Sequence, residues 1–299
     1  MGKEPKSTPA ASLPAGNNPS GKPTPNAAHK NVLVDVRDGI AWVKLNRPEK
    51  RNAINPGIVF EMVAAIDALE MNDDARVIVI TGSGDAFSAG QDLKEYFREP
   101  DAGDPRLREQ LHNANAYWQW RRLMYYPKPT IAMVNGWCFG GAFQVLCACD
   151  LAVAADDATF GLSEINWGII PAGIVTKSVA MALAQRNAMY YILTGDTFDG
   201  KRAAEIGLVN FSVPKAELEA RTAALAKKLM EKNPHVLRVA KTAYHRVREM
   251  SWDASADYLG AKNDQSMLRD PEKGAKQGMT QFLDEKSYKP GLGAYKRDK

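Results

Sequence analysis

Asn135 to Asp150, NGWCFGGAFQVLCACD, constrains the fold of this chain more than any other stretch. It follows a compact apolar run, Thr130 to Val134, that reads as a buried strand. Gly140 and Gly141 then open Ala142 to Cys149, a proline-free segment that can continue as a helix. A strand, a glycine pair and a helix start gather unpaired backbone N–H groups at one point. That geometry suits an anion or a developing oxyanion. It equally suits a tight turn that needs glycine for positive φ or close packing, and the stretch by itself does not choose between the two.

The flanking sequence repeats the alternation of strand and helix. Val32 to Val36 and Ile40 to Leu45 alternate apolar and polar residues around Asp38-Gly39, a hairpin signal. Asn46 to Asn55 is a polar, basic loop, and Pro56 opens a helix with Ile58, Met62, Ile66 and Leu69 at helical spacing. Arg76 to Thr81 and Asp150 to Ala155 read as short buried parallel strands. Between them lie a long loop, Gly82 to Phe97, running into a helix, and an aromatic-rich helix, Leu107 to Tyr126. Thr159 to Gly173 is a loop punctuated by glycine and proline, and a short strand is expected at Val209 to Val213. From Lys215 the pattern is helical: Lys215–Lys232, Pro234–Glu249, Trp252–Leu268 and Pro271–Asp284. The expectation is an α/β core over 31–214 and a helical C-terminal region over 215–299, with no internal repeat visible in the sequence.

Residues 1–28 hold six prolines and almost no large apolar side chains, so residues 1–30 read as a disordered tail. Lys3, Lys6, Lys22 and Lys30 against Glu4 give this tail most of the formal charge of +4. The remaining body is almost neutral, which argues against a nucleic-acid footprint and leaves RNA binding only the tail as support. Cys138, Cys147 and Cys149 are odd in number, lie in an apolar region and have no His/Cys/Asp set at ligand spacing. They read as buried structural thiols in a reducing cytoplasm, with no metal. No apolar run approaches the ~20 residues of a membrane span, and no secretory signal is apparent.

Two loops leave apolar strands with glycine at their turns, Ser88–Asp92 and Phe139–Ala142. Each can present one backbone N–H, and two converging N–H groups would stabilise an enolate oxygen. Two unrelated turns would give the same spacing. Glu164 is the one carboxylate between Asp157 and Arg186, in an otherwise apolar loop. A carboxylate there should have a raised pKa and could shuttle a proton; an exposed loop residue or helix cap is the plainer alternative. His29, His112, His235 and His245 lie near none of these loops in sequence, and no GxSxG, HExxH, Walker A or paired CxxC motif occurs.

NRPEKRNA at Asn46–Ala53, FSAGQDLKEYF at Phe87–Phe97, KPTIAMVNGWCFGGAF at Lys128–Phe143 and FGLSEINWGI at Phe160–Ile169 together resemble the crotonase (enoyl-CoA hydratase/isomerase) superfamily. The similarity spans about residues 31–296, and DLKEYFRE, WQWRRL, NGWCFGG and FGLSEINWGI are similar to its p-hydroxycinnamoyl-CoA (feruloyl-CoA) hydratase-lyase branch. The resemblance implies a spiral of ββα units, trimers or pairs of trimers, and an acyl-CoA thioester as substrate. No cofactor is implied beyond the coenzyme A of that thioester. The N–H groups of Gln91 and Gly141 would hold its carbonyl oxygen, and Glu164 would be the general acid/base for hydration and then retro-aldol cleavage. Tyr96 matches the tyrosine that contacts the substrate's phenolic oxygen, and Trp167 lies in the same motif as Glu164.

The chain departs from the pattern at three positions. Gln144 stands where hydratases carry a second glutamate and the lyase branch carries serine; its carboxamide can position water but cannot exchange protons. Gly260 stands where the branch has a second tyrosine, with Tyr258 two residues earlier and so turned by ~200° on a helix. Ile170 replaces a proline after NWGI. These departures keep open a different aryl or enoyl thioester as substrate. Coenzyme A contacts carry over less sharply: Lys50 and Arg51 to phosphates, the backbone near Ala89 and Asp92 to adenine, and Phe282 and Lys286 to a neighbouring subunit's nucleotide site.

Overall fold

A computed structural model of the chain describes residues 30–289, 291 and 293–297. The tail expected over residues 1–30 lies outside them, apart from Lys30. Among the described residues ten strands form two sheets: β1 Val32–Arg37, β2 Ile40–Leu45, β3 Val77–Gly82, β4 Ala86–Ser88, β5 Thr130–Val134, β6 Trp137–Phe139, β7 Leu151–Ala155, β8 Thr159–Gly161, β9 Thr197–Asp199 and β10 Phe211–Val213. The larger sheet has the order β1-β2-β3-β5-β7-β10 and the smaller β4-β6-β8-β9. Asp38 and Gly39 both take positive φ, the geometry of a two-residue hairpin, and pair β1 antiparallel to β2. From β2 to β10 the larger sheet is parallel.

β3, β5 and β7 each turn a corner into a short strand of the smaller sheet, β4, β6 and β8. The corners touch. A Cβ at Gly82 would stand 1.9 Å from the Ala86 carbonyl oxygen, and one at Gly136 would stand 1.8 Å from that of Asp85. Only glycine permits that approach. Two carboxamides tie the corner: Asn135 donates to the Gly82 and Gly84 carbonyls at 3.0 Å, and Asn52 donates to those of Ser83 and Ala86. The strand–corner–strand unit thus recurs three times although no sequence repeat marks it. Strands of three residues whose partners lie tens of residues away leave no local signal, so β4, β6, β8 and β9 are not foreseen in the sequence reading.

Asn55 Oδ1 accepts the Ile58 N–H and caps the helix Pro56–Glu70, which buries Ile58, Met62, Ile66 and Leu69 against the sheet. Each fully buried side chain of this size contributes about 1.5–3 kcal/mol. The aromatic segment is not one continuous α-helix: Pro105–Ala116 is α-helical and Tyr117–Arg122 is π-helical. In the C-terminal region, the helix Leu218–Met230 packs on the larger sheet. The helices Pro234–Val247 and Trp252–Arg269 pack on each other and bury no residue. The last α-helix starts at Gly274 rather than Pro271, because Lys273 before it is left-handed.

All three cysteines are free, Cys138 and Cys149 are buried, and burial pushes their thiols up, for Cys147 and Cys149 to about 12. Among the described residues no helix is long and apolar enough to cross a membrane, and no group of three or more His, Cys, Asp or Glu could hold a metal ion.

Candidate active site

Gln91, Gly141 and Glu164 follow the ends of β4, β6 and β8 by two or three residues. Because these strands are neighbours in one parallel array, the three following loops are stacked in space. The first loop is fixed by backbone pairing. Ile54 N–H donates to the Gly90 carbonyl and Asp92 N–H to the Ile54 carbonyl, both at 2.8–2.9 Å, so the Gln91 N–H between them faces away from Ile54. Ser88 Oγ accepts the Gly90 N–H at 3.1 Å and donates to the Asn52 carbonyl.

The second loop lies directly against the first. Gly90 has φ 86°, and a Cβ there would be 2.8 Å from the Phe139 carbonyl oxygen and 3.2 Å from the Gly141 nitrogen. A Cβ at Gly141 would fall 1.5 Å from Gln91 Oε1. The two turns therefore meet, as the oxyanion-hole expectation requires. Gly140 donates to the Gly161 carbonyl, while Gly141 caps the helix Ala142–Ala148. Neither the Gln91 N–H nor the Gly141 N–H has an acceptor among the described residues.

Glu164 rises from a 3-10 turn, Ser163–Trp167, toward this meeting point. A Cβ at Gly140 would lie 3.1 Å from Glu164 Oε1. Glu164 Oε2 is buried without a hydrogen-bond partner, and burial pushes the carboxyl above its ordinary value. Glu164 as a whole is half-buried, between exposed residues on its C-terminal side and the buried strand before it. Gln144, on the Ala142–Ala148 helix, is 7% exposed and lies 3.5 Å, through Nε2, from the position of a Cβ at Gly173. Tyr96 is 5% exposed on a π-helical turn, Leu93–Arg98. Burial pushes its hydroxyl up to about 12, with the Asn115 side chain pulling the other way. His112, distant from the loops in sequence, stacks on the Tyr96 ring at 5.4 Å.

In the first loop the Ala89 N–H donates to the Arg51 carbonyl and the Asp92 N–H to that of Ile54. Burial would raise the Asp92 carboxyl, but the Glu95 and Lys94 N–H groups and Arg47 outweigh it and hold it below its ordinary value. Asp92 is a cap and ion-pair residue, 3.1 Å from Arg47, which also reaches Glu95 at 2.8 Å. Lys50 is exposed, whereas Arg51 lies over the Trp137 ring at 4.0 Å.

The remaining expected residues stand apart from this cluster. Trp167 is 68% exposed at the end of the Glu164 turn. Tyr258 and Gly260 lie on the helix Trp252–Arg269, which buries no residue, and a Cβ at Gly260 would meet nothing within 4 Å. Phe282 stands edge-on to Tyr288 at 6.1 Å, and Lys286 is exposed beyond it. The protomer does not bring these last four to the Glu164 cluster.

Two residues were missed. Gln119, fully buried, accepts at Oε1 from Gln91 Nε2 at 3.2 Å and from Asn115 Nδ2 at 2.7 Å. Their i,i+4 spacing inside an aromatic helix was the available signal.

The profile of the enoyl-CoA hydratase/isomerase family matches residues 35–290. A hydroxycinnamoyl-CoA hydratase-lyase of Pseudomonas fluorescens is 58% identical over 268 residues, covering 90% of this chain and 97% of that protein. A putative enoyl-CoA hydratase of Thermus thermophilus is 34% identical, over 70% of this chain and 82% of its own. Among solved structures, an enoyl-CoA hydratase of Mycobacterium smegmatis superposes with a TM-score of 0.77 at 27% identity, covering 85% of this chain and 96% of that one. The spiral of paired strands, the stacked loops and these similarities agree: the chain belongs to the enoyl-CoA hydratase/isomerase family.

Proposed function

We propose that this chain is a lyase that adds water to hydroxycinnamoyl-CoA thioesters and splits the adduct into an aromatic aldehyde and acetyl-CoA. The observation that carries the proposal is the meeting of two unpaired N–H groups, on Gln91 and Gly141, beside the buried Glu164 carboxylate. The 58% identity to a hydroxycinnamoyl-CoA hydratase-lyase supports the choice of substrate.

In the proposed cycle the thioester oxygen lies between the two N–H groups. Glu164 takes a proton from water, the hydroxide adds to Cβ, and the C=C electrons move onto the thioester oxygen. Returning the proton to Cα gives the β-hydroxy thioester. Glu164 then takes the β-hydroxyl proton, Cβ–O becomes a carbonyl and the Cα–Cβ bond breaks. Its electrons form a second enolate, which protonation at Cα converts to acetyl-CoA. Fixed donors of this kind are each worth about 10²–10³ in kcat. A carboxyl raised toward the working pH suits a group that must both take and return a proton. Tyr96 would meet the phenolic oxygen, and Gln144 would orient water.

We assign the coenzyme A phosphates to Lys50 and Arg51, and the adenine to the Ala89 carbonyl. Phe282 and Lys286 of a neighbouring subunit would close the nucleotide site in a trimer or pair of trimers, with Tyr258 and Trp167 approaching a substrate-binding region across that interface. The reading needs no cofactor besides the thioester's own coenzyme A, places the reaction in the cytoplasm, and divides the chain into a 31–214 core and a 215–299 assembly region. A second reading, hydration or cleavage of a differently substituted aryl thioester, rests on the open space at Gly260 and on Gln144.

Incubation of the protein with feruloyl-CoA and chromatography of the products tests the first reading. Equal amounts of vanillin and acetyl-CoA are expected. Accumulation of the β-hydroxy thioester alone favours the second reading, and no conversion of any aryl or enoyl thioester refutes both.

A further inference from the structure

We infer that Gln119 is a positioning residue for the N–H groups of Gln91 and Gly141: it holds the Gln91 carboxamide against Gly141 and so sets the gap between the two loops. This rests on the acyl-CoA reading above, in which those groups take up the thioester oxygen. Past the last β4–β6 pairing, Ser88 with Cys138, the backbone bonds of the two loops diverge. The Ala89 and Asp92 N–H groups go to Arg51 and Ile54, and that of Gly140 goes to Gly161. Each loop is thus anchored to a different neighbour, and the separation of their free N–H groups falls to side-chain packing. The Gln91 carboxamide supplies it. A Cβ on Gly141 would lie 1.5 Å from Gln91 Oε1 and 2.9 Å from its Nε2, so this side chain fills the space that glycine at 141 leaves.

A wedge of this kind fixes a distance only if it is itself fixed. Gln91 is half-buried, and a glutamine side chain without a partner samples several rotamers. Gln119 supplies the hold. Its Oε1 accepts from Gln91 Nε2 at 3.2 Å and from Asn115 Nδ2 at 2.7 Å, which uses both lone pairs. Gln119 is fully buried and Asn115 nearly so, and that oxygen is pinned in the core. Asn115 lies in the last turn of the α-helix Pro105–Ala116, and Gln119 on the π-helical turn Tyr117–Arg122 that follows. Such turns are rare and concentrate at functional sites. The other end of the Gln119 carboxamide, Nε2, is buried with no partner, which costs the fold stability. What glutamine brings to this place is therefore its oxygen. A misplacement of about 1 Å at a reacting centre costs about 10²-fold in rate, so a wedge that wanders by less still lowers turnover.

Gln119→Met keeps the length of the side chain and removes the acceptor. It should lower kcat by ~10-fold while KM for the thioester stays within ~3-fold, because misplaced donors cost the transition state more than the ground state. Gln119→Glu restores an acceptor and loses no bond, since Nε2 makes none, and should return kcat to within ~3-fold of the unaltered protein. Gln91→Met keeps the backbone N–H and deletes the donor to Gln119; the same loss is expected, and the double variant should lose no more than either single one. Infrared difference spectra of bound acetyl-CoA, isotope-labelled at the thioester carbonyl, read the site without turnover. The unaltered protein should lower the carbonyl stretching frequency, Gln119→Met should lower it less, and Gln119→Glu should match the unaltered protein. Any of four results would overturn the proposal: equal downshifts in the unaltered protein and Gln119→Met, no downshift in the unaltered protein, losses that multiply in the double variant, or a loss carried by KM. Should Gln119→Met fail to fold, Gln91→Met carries the same kinetic and infrared comparison. Absence of aldehyde from the unaltered protein would refute the lyase reading and leave the infrared comparison to decide this one.

Discussion

Asp150 and Glu164 are carboxylates at the margins of buried strands, fourteen positions apart, and their surroundings are opposite. Asp150 Oδ2 accepts from the Thr130 N–H at 2.8 Å, from Thr130 Oγ1 at 3.0 Å and from Lys241 Nζ at 2.9 Å. Glu164 keeps one oxygen buried with no partner. Burial lowers the Lys241 ammonium, with Asp150 opposing that shift, whereas nothing but a backbone hydrogen bond opposes the rise at Glu164. One carboxylate has an oxygen holding three donors of the protein and fastens the C-terminal helix Pro234–Val247 to β5 and β7. The other has its demand left open beside two unpaired N–H groups. Folding completes the first site, and a substrate would complete the second.

The largest effect should come from the open site. Glu164→Gln keeps the shape of the side chain and removes its ability to exchange protons. Turnover of the thioester should fall by about 10²–10⁴-fold, the usual share of general acid–base catalysis. Steady-state assay of aldehyde release reads this directly. Full activity in the variant would mean that the unpaired carboxyl is not the proton carrier, and the contrast with Asp150 would lose its functional content.

The closed site should show the reverse. Asp150→Ala leaves the Lys241 side chain, itself only 9% exposed although the residue is partly open, without its counter-charge, which costs about 3–5 kcal/mol of stability. Urea denaturation followed by far-ultraviolet dichroism measures it. Replacing both partners, Asp150→Ala with Lys241→Met, should recover a large part of that loss, because the uncompensated charge is gone. A double variant no more stable than Asp150→Ala would show that the loss lies in the Thr130 hydrogen bonds instead.

How far each site could be read from the chain follows from the range of its interactions. The Asp38-Gly39 hairpin and the Asn55-Pro56 helix start are set within a few residues and were legible. The parallel strands β3, β5 and β7 announce themselves by apolar runs. β4, β6 and β8 do not, because their pairing depends on partners in other turns of the spiral, such as Ser88 opposite Cys138 and Cys138 opposite Phe160. The same distance hid the contact of Gly90 with Gly141, so the two glycine turns were visible as turns but not as a pair. Resemblance to a family supplied Glu164, Gln91 and Gly141 as a set, and the geometry joined them. The pairing of the Asp92 N–H with Ile54, a residue thirty-eight positions earlier, leaves no local signal either. Asn115 and Gln119 were read as part of an aromatic helix, and only the folded contacts of Gln119 with Gln91 and with Asn115 distinguish them.

The smallest effect separates the two carboxylates most sharply, because it concerns stability at a site proposed for function. Burial holds the Glu164 carboxyl above its ordinary value of 4.5, so the folded chain binds this proton more tightly than the unfolded chain. Below 4.5 the group is protonated in both states and costs the fold no charge burial. As pH rises from there through the folded pKa, the unfolded chain ionises first and the folded state loses stability. Glu164→Gln removes that loss. The variant should therefore match the parent in melting temperature at about pH 4 and exceed it at about pH 8, a gain of about 0.5–2 kcal/mol. The acid limb of kcat/KM in the parent should fall in the same window above 4.5, since the ionised form is the base. Thermal melts of both proteins across that range decide it. A gain independent of pH would trace to packing rather than charge, and a loss would show that Glu164 has a partner in the folded protein, as Asp150 does.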